Sequence, residues 1–445
     1  AFGFSESGYT RVHQKSLYLQ KASCSCQCVI LHKEIAANEM ESDKQVHFFQ
    51  YEKLLNPTVQ AFLKSHSIAD VHTILLKGKK VDDIPATILA DQLRGRAVAK
   101  EKLPDLVANP SIIYPPGLNL EQSSSSATAA LKAELLSQLV NTESVADITG
   151  GFGIDAYHFS SRFRFVEYIE PNSLLANIAA HNHRALGATN IDHKATTAEA
   201  FLADTGPKRS VIYADPSRRV NARRVVSLRD CEPNVINLLP QILSRADALM
   251  IKASPMLDIH HSVAELGRVS RVIVVSVNQE CRELLFLCEK EPLAEPVIAT
   301  VHLNAAGREV FEFVPSEEKN AQVSFGGVNA FLYEPNPSIL KAGAFKLVAT
   351  RFGLTKLGPN SHLYTSGSLV NDFPGRRFSV VSHLKSDPHS IARVLPEGKA
   401  NVMVRNYPLS ADSLKKKLKV KDGGTHFIVG TTADKGPVLL LAERV

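Results

Sequence analysis

Between Met40 and about Pro110, apolar residues recur at three- and four-residue spacing, in FFQYEKLL, VQAFLKSH and IPATILADQL, which predicts a small helical domain. NPSIIYPPGLNLEQSSSS then interrupts the period with prolines, a glycine and a run of serines, the composition of a boundary or an ordered connecting loop. ATAALKAELLSQLV follows as a strong helix former whose start the serines and Thr128 can cap. From Val145 short β-rich runs (VADIT, FVEYIE, SVIYAD, ALMIKA, RVIVVSV) alternate with helical ones such as SLLANIAAHNHRAL and NVINLLPQILSR. Such alternation predicts a parallel sheet covered by helices on both faces, an α/β fold. After about residue 290, VIATVHL and EVFEFV mix with glycine, proline and polar turns, so a second α+β part is expected. The C-terminal stretch from VMVRNY to VLLLAE reads as strand, helix, strand, turn and strand, enough for a small α+β module.

Composition adds limits rather than a function. With 445 residues, 44% of them hydrophobic, the chain has material for about two to four domains and a proper core. A surplus of 51 Lys+Arg over 45 Asp+Glu leaves a charge of +6, which permits an anionic partner without demanding one. No apolar run approaches the roughly 18 residues of a membrane span, and six cysteines do not make a disulfide scaffold. Residues 1–39 precede the first methionine and lack the order of a signal peptide, and are expected to be a poorly ordered leader or an artefact. Within them Cys24, Cys26 and Cys28 alternate without a fourth ligand at zinc spacing. The remaining three, Cys231, Cys281 and Cys288, read as reduced thiols. His181, His183, His260 and His261 lack metal-ligand spacing, so no metal is assigned. These features suggest a cytoplasmic enzyme or binding protein.

The most informative stretch is VADITGGFGIDAYHFS, a buried strand running into a glycine turn and then a helix. Gly150, Gly151 and Gly153 remove side chains where a ligand must approach the backbone, and the helix start offers free N–H groups. A nucleotide-like ligand is the leading explanation, although Gly151, Gly153 and Ala156 also satisfy the G-x-G-x-x-A dinucleotide fingerprint. Asp147 ends the strand before the glycines. Glu170 ends the next strand, at about the 20-residue spacing where a carboxylate accepts ribose hydroxyls. SVIYADPSRR places Asp215 and Pro216 at the carboxyl end of the fourth strand.

These residues resemble the class I S-adenosylmethionine-dependent methyltransferases. DITGGFG is similar to that family's D-x-G-x-G-x-G motif with Thr149 at the first glycine, Glu170 to its ribose acid, and ADPSRR to its Asp/Asn-Pro-Pro-aromatic motif, with Ser217 and Arg218 replacing the second proline and the ring. Thr197 in KATTAEAFL falls near the place of the acid that often contacts adenine. A wider series, EQSSSSATAALKAEL, DITGGFGID, DPSRR, IKASPMLD, VNQECRELL, YEPNPSILKAGAF, FPGRRF and RNYPLSADSLKKKL…GGTHFIVGTT, resembles a bacterial methyltransferase family with a C-terminal THUMP-like domain. The resemblance implies a Rossmann-like class I sheet, mainly parallel with seven strands, between an N-terminal helical domain and an α+β THUMP-like module. It divides the chain into 40–120 (helical), 121–305 (S-adenosylmethionine-binding methyltransferase), 306–372 (small α+β linker) and 373–445 (THUMP-like). It also implies S-adenosyl-L-methionine as cofactor and RNA, a tRNA or rRNA, as partner.

On this reading Asp147, Thr149, Gly151, Gly153, Asp155, Glu170 and Thr197 hold the cofactor. Asp215, Pro216 and Ser217 are the catalytic candidates, since in-line methyl transfer needs positioned acceptors rather than a covalent nucleophile. Arg218, Arg219, Arg223 and Arg224, followed by Arg229, stand where phosphates can be forked, or form a solvated salt-bridged surface with Asp230 and Glu232. Lys252 and Ser254 shape a polar loop at the same sheet edge. Lys415 to Lys417 with Lys419, Lys421 and Arg405 form a second basic run, able to track RNA or merely to be solvated. The competing readings are a methyltransferase for protein or a small molecule, an RNA-binding or nucleotide-sensing protein without catalysis, and a nicotinamide dehydrogenase lacking an evident proton relay.

Overall fold

The computed structural model describes residues 48–117, 119–218 and 227–445. The cysteine triplet, the expected leader and Arg219, Arg223 and Arg224 lie outside the described residues. The chain divides into two compact units, one running to residue 139 and including 150–201, the other comprising 140–149 and 202–445.

The first unit begins with helices α1 (Pro57–Ser65), α2 (Val71–Leu76) and α3 (Ala86–Lys102). Pro57 starts α1 at a position where its missing N–H costs nothing. Their apolar faces bury Val59, Leu89 and Ala90 in one core with Tyr114, Phe152, Ile154 and Ile178. The proline-rich connection docks rather than loops free. On α6 (Ser173–Ala185), Asn182 accepts the Ile113 N–H at 2.9 Å and donates to its carbonyl at 2.8 Å. Ile112, Ile113 and Tyr114 are thereby buried. The same unit holds α4 (Ser126–Leu139), α5 (Ile154–Ser160), α7 (Ala198–Ala203) and the parallel pair β2 (Phe165–Ile169) and β3 (Ile191–Lys194).

The second unit contains β1 (Ser144–Asp147), β4 (Arg209–Ala214), β5 (Ala246–Ala253), β6 (Val269–Val277), β7 (Glu280–Glu289), β8 (Val297–Asn304) and β9 (Gly307–Phe313). Within it the order is β9-β8-β6-β7-β5-β4-β1. The pairs β1–β4, β4–β5 and β6–β8 are parallel. The pairs β5–β7, β7–β6 and β8–β9 are antiparallel.

With β2 and β3 the larger sheet therefore has nine strands, not the expected seven, and only part of it is parallel. Two local causes account for the difference. Asn278, at φ 55°, reverses the chain so that ELLFLC returns as a fully buried antiparallel strand between two neighbours. The hairpin through Gly307 then adds β8 and β9, so EVFEFV extends the larger sheet instead of opening the second part.

A second sheet of seven strands follows, built from β10 (Phe331–Pro335), β11 (Thr355–Lys356), β12 (Tyr364–Ser366), β13 (Gly375–His383), β14 (Asn401–Arg405), β15 (His426–Ala433) and β16 (Gly436–Arg444), in the order β11-β12-β10-β13-β16-β15-β14. The C-terminal part has the strand, helix, strand, turn, strand order read from the sequence, its helix α8 being Ala411–Leu418. Gly375 joins the two halves of this sheet: a Cβ there would come within 2.2 Å of the Glu334 carbonyl oxygen. Only glycine lets β10 and β13 close at that end.

Candidate functional site

In the first unit, the turn after β1 is shaped by what glycine leaves out. Gly151 and Gly153 have φ of 54° and 87°, the left-handed region that other residues enter at a cost. A Cβ on Gly150 would sit 2.3 Å from the Tyr168 ring, whose hydroxyl donates to the Gly151 carbonyl. Gly153 stands at the N-cap of α5, and its carbonyl accepts from His183 Nε2 at 2.9 Å. Burial pushes His183 down to about 4, so the ring is neutral. A carbonyl only accepts, so the proton is on Nε2, and Nδ1 accepts from His193 Nε2 at 2.8 Å.

Glu170 closes this half of the site. One carboxylate oxygen accepts the Gly151 N–H at 3.0 Å and the other the Asn172 N–H at 2.8 Å. Burial raises its proton affinity and the two backbone bonds oppose the rise. Each oxygen keeps a lone pair for a hydroxyl of a ligand, and no cation bonds the group among the described residues.

In the second unit, Asp147 at the end of β1 is 1% exposed and accepts both the Thr149 N–H (3.0 Å) and the Thr149 hydroxyl (3.2 Å). The same hydroxyl accepts the Asp215 N–H at 2.7 Å. Thr149, which the sequence presented as a departure from a glycine motif, thus ties the end of β1 to the residue after β4. The Asp215 carboxylate is ion-paired with the mostly buried Lys252 ammonium of β5 through Oδ2. The two halves are continuous through the Thr149–Gly150 peptide bond.

The other candidates separate. Asp155 is turned into a buried cluster of the first unit, its carboxylate 3.2 Å from the fully buried Lys132 ammonium and 2.8 Å from the Ser124 hydroxyl. Lys132 was not singled out by the sequence reading; a lysine in the middle of the apolar helix ATAALKAELL was the available signal. Thr197 caps α7 by accepting the Ala200 N–H at 3.2 Å. Ser217 pairs with Glu232, and the Arg218 backbone with Cys231, in a two-stranded hairpin just after Asp215 and Pro216. Ser254 accepts the Met256 N–H at 3.3 Å within its turn. Arg229 is tethered through its Nε to Glu265 at 2.9 Å, the salt-bridged surface that was the alternative to phosphate contact. Among the described residues no cluster of three His, Cys, Asp or Glu side chains is placed to hold a metal ion, and no helix is long and apolar enough to cross a membrane.

A partly parallel α/β sheet, a glycine turn after its first strand, and acids closing β2 and following β4 define the class: a methyltransferase-type fold. The comparisons agree. A solved structure described as a "putative methyltransferase" from Porphyromonas gingivalis W83 is 31% identical, superposes with a TM-score of 0.77, and aligns over 87% of this chain and 97% of its own. Residues 331–374 match a ferredoxin-like domain and 375–444 a THUMP domain-like model. The chain belongs to the class I methyltransferase family that ends in a THUMP-like domain. More distant structures include an rRNA methylase from Streptococcus thermophilus (15% identity, 36% of this chain and 95% of that chain, TM-score 0.28). Another is described as a "putative methyltransferase" from Streptococcus mutans in complex with SAH (13% identity, 36% and 95%, TM-score 0.28). No curated protein matches the chain.

Proposed function

We propose that the protein transfers a methyl group from S-adenosyl-L-methionine to a base nitrogen of RNA, a tRNA or rRNA, in the cytoplasm. The observation behind the cofactor is the Glu170 carboxylate. It lies beside the glycine turn with one backbone N–H on each oxygen and a lone pair left on each, a donor set that fits two neighbouring ribose hydroxyls. Gly151 and Gly153 keep the backbone beside it bare, and Asp147 and Thr149 hold the preceding strand end. When bound, the cofactor supplies an electrophilic methyl on a sulfonium.

What the chain supplies is placement. Asp215 is held at its N–H by Thr149 and at one carboxylate oxygen by Lys252, leaving the second oxygen as an acceptor able to orient an amino group and expose its lone pair. Pro216 and Ser217 fix the backbone that follows. Arg218, Arg219, Arg223 and Arg224 are proposed to meet substrate phosphates, with Lys252 and Ser254 bordering the target pocket. The RNA assignment is supported by the THUMP-like match and by Lys416 and Lys417 on α8, which have no ion pair among the described residues, whereas Lys415 is bound by Asp412 and Asp422.

Calorimetry with S-adenosyl-L-methionine tests the cofactor. Glu170→Gln should weaken binding by about tenfold or more, the value of a hydrogen-bond set to a charged group. An unchanged affinity would remove Glu170 from the site. Transfer of labelled methyl to total RNA, against protein and metabolite fractions, tests the substrate. Label in either of the latter fractions alone, or RNA binding without any transfer, would replace the RNA methyltransferase reading.

A further inference from the structure

The second unit holds a partly open cavity of about 450 Å³ lined by residues of the larger sheet, the ferredoxin-like part and the THUMP-like part. Arg376, Arg377, Arg405 and Arg444 are among its lining residues, against two acids, Glu309 and Glu334. His302 adds no charge, because burial lowers its pKa and its Nδ1 lies 2.8 Å from the Ser276 hydroxyl. The lining therefore carries a surplus of positive charge in a partly enclosed space, where attraction for an anion is least screened.

The arginines divide into two pairs. Glu334, 3% exposed, anchors Arg376 through its Nε at 2.6 Å and Arg405 through its Nε at 2.5 Å. One carboxylate thus fixes two guanidiniums, each of which has further N–H donors. The Arg377 side chain is tethered only to the Asn371 carbonyl, and no hydrogen bond or ion pair holds the Arg444 side chain among the described residues. Glu309 is occupied by the side-chain amides of Asn304 and Asn336. Pro335, Pro337 and Leu340 supply apolar wall, so the space suits a phosphate with an organic group attached better than a bare ion.

We propose that this cavity binds a phosphate group, with Arg376 and Arg405 held ready by Glu334 and with Arg377 and Arg444 completing the charge. The source we favour is the phosphate of an RNA substrate, which rests on the RNA reading above; a free phosphorylated metabolite has the same chemistry.

The test uses the full chain and three probes: inorganic phosphate, adenosine 5′-monophosphate and a short RNA oligomer. Each is titrated against the parent protein, the double variant Arg377→Gln/Arg444→Gln, and a control that loses equal charge elsewhere, Lys64→Gln/Lys77→Gln. Neither substituted arginine bonds Glu334, so the Glu334 anchor is left in place. The RNA dissociation constant should rise about tenfold in the arginine variant and less in the control, and the slope of log K against log salt should become shallower by about 1 to 2. Binding of phosphate or the monophosphate that is lost in the arginine variant, with RNA affinity unmoved, would support the site and assign it to a free metabolite. Equal effects of the two double variants on every probe, or no effect of either, would overturn it. S-adenosyl-L-methionine affinity, measured in parallel, is expected to be unchanged, so failure of this site and failure of the methyltransferase reading are read separately.

Discussion

Two regions of the molecule bury ionisable groups in opposite ways. Around the glycine turn, Glu170 is partly and His183 almost fully withdrawn from water, with no counter-ion among the described residues; burial raises the proton affinity of the acid and lowers that of the imidazole. Around the arginine-lined cavity, Glu334 is more deeply buried than Glu170 and is held by two guanidiniums. A carboxylate satisfied by cations has spent its acceptors on structure, whereas one that meets only backbone N–H groups still has acceptors to offer a ligand. The contrast separates a group that can recognise hydroxyls from one that arranges arginines for an anion.

The largest effect that sharpens this contrast is on stability against pH. His183 has its folded pKa depressed from 6.5 to about 4, so its contribution is fully present above pH 6.5 and is lost as pH falls towards 4. That loss is on the order of 3 kcal/mol. Urea unfolding from pH 7 to 4 should show a fall that His183→Gln removes in large part. An equal fall in the variant would assign the acid sensitivity to other groups and erase the distinction.

Next in size is Glu334→Ala. Removing a buried partner of two arginines usually costs 3–5 kcal/mol, and the access of Arg376 and Arg405 to the cavity reduces this to about 2 kcal/mol. Denaturant titration measures it. A change below about 0.5 kcal/mol, the range of ordinary surface substitutions, would mean that Glu334 does not anchor the pair.

Much of the glycine-turn region was legible in the sequence, because its chemistry is local: a strand, glycines, a helix, and an acid about 20 residues on. The residues brought together over long separations were not. Lys132 meets Asp155 through the packing of α4 on α5, and the serine run read as a boundary supplies Ser124 to that pair. Arg376 meets Glu334 because β10 and β13 pair, with Gly375 permitting the approach, whereas Arg405 reaches the same carboxylate from the end of β14, a meeting that a basic run in the sequence does not show. The strand ELLFLC lacks any period, since both its faces are covered, and so escaped a reading based on alternation.

Thr149 gives the smallest expected effect and the sharpest separation of holding from reacting. Its hydroxyl donates to Asp147 and accepts the Asp215 N–H, so a resemblance-based reading that sees a glycine replaced misses a cross-strand tie. Thr149→Val keeps the shape and leaves that N–H without its partner, which should cost about 1 kcal/mol of stability. Glu170 and Gly151 do not depend on this hydroxyl, so S-adenosyl-L-methionine affinity should stay within about twofold, whereas methyl transfer, which on the proposed reading relies on the placement of Asp215, should fall several-fold. Thr149→Ser, which keeps the oxygen, should restore the rate. If valine lowered cofactor affinity as much as transfer, or if serine failed to restore the rate, Thr149 would belong with the residues that shape the glycine turn rather than with those that place Asp215.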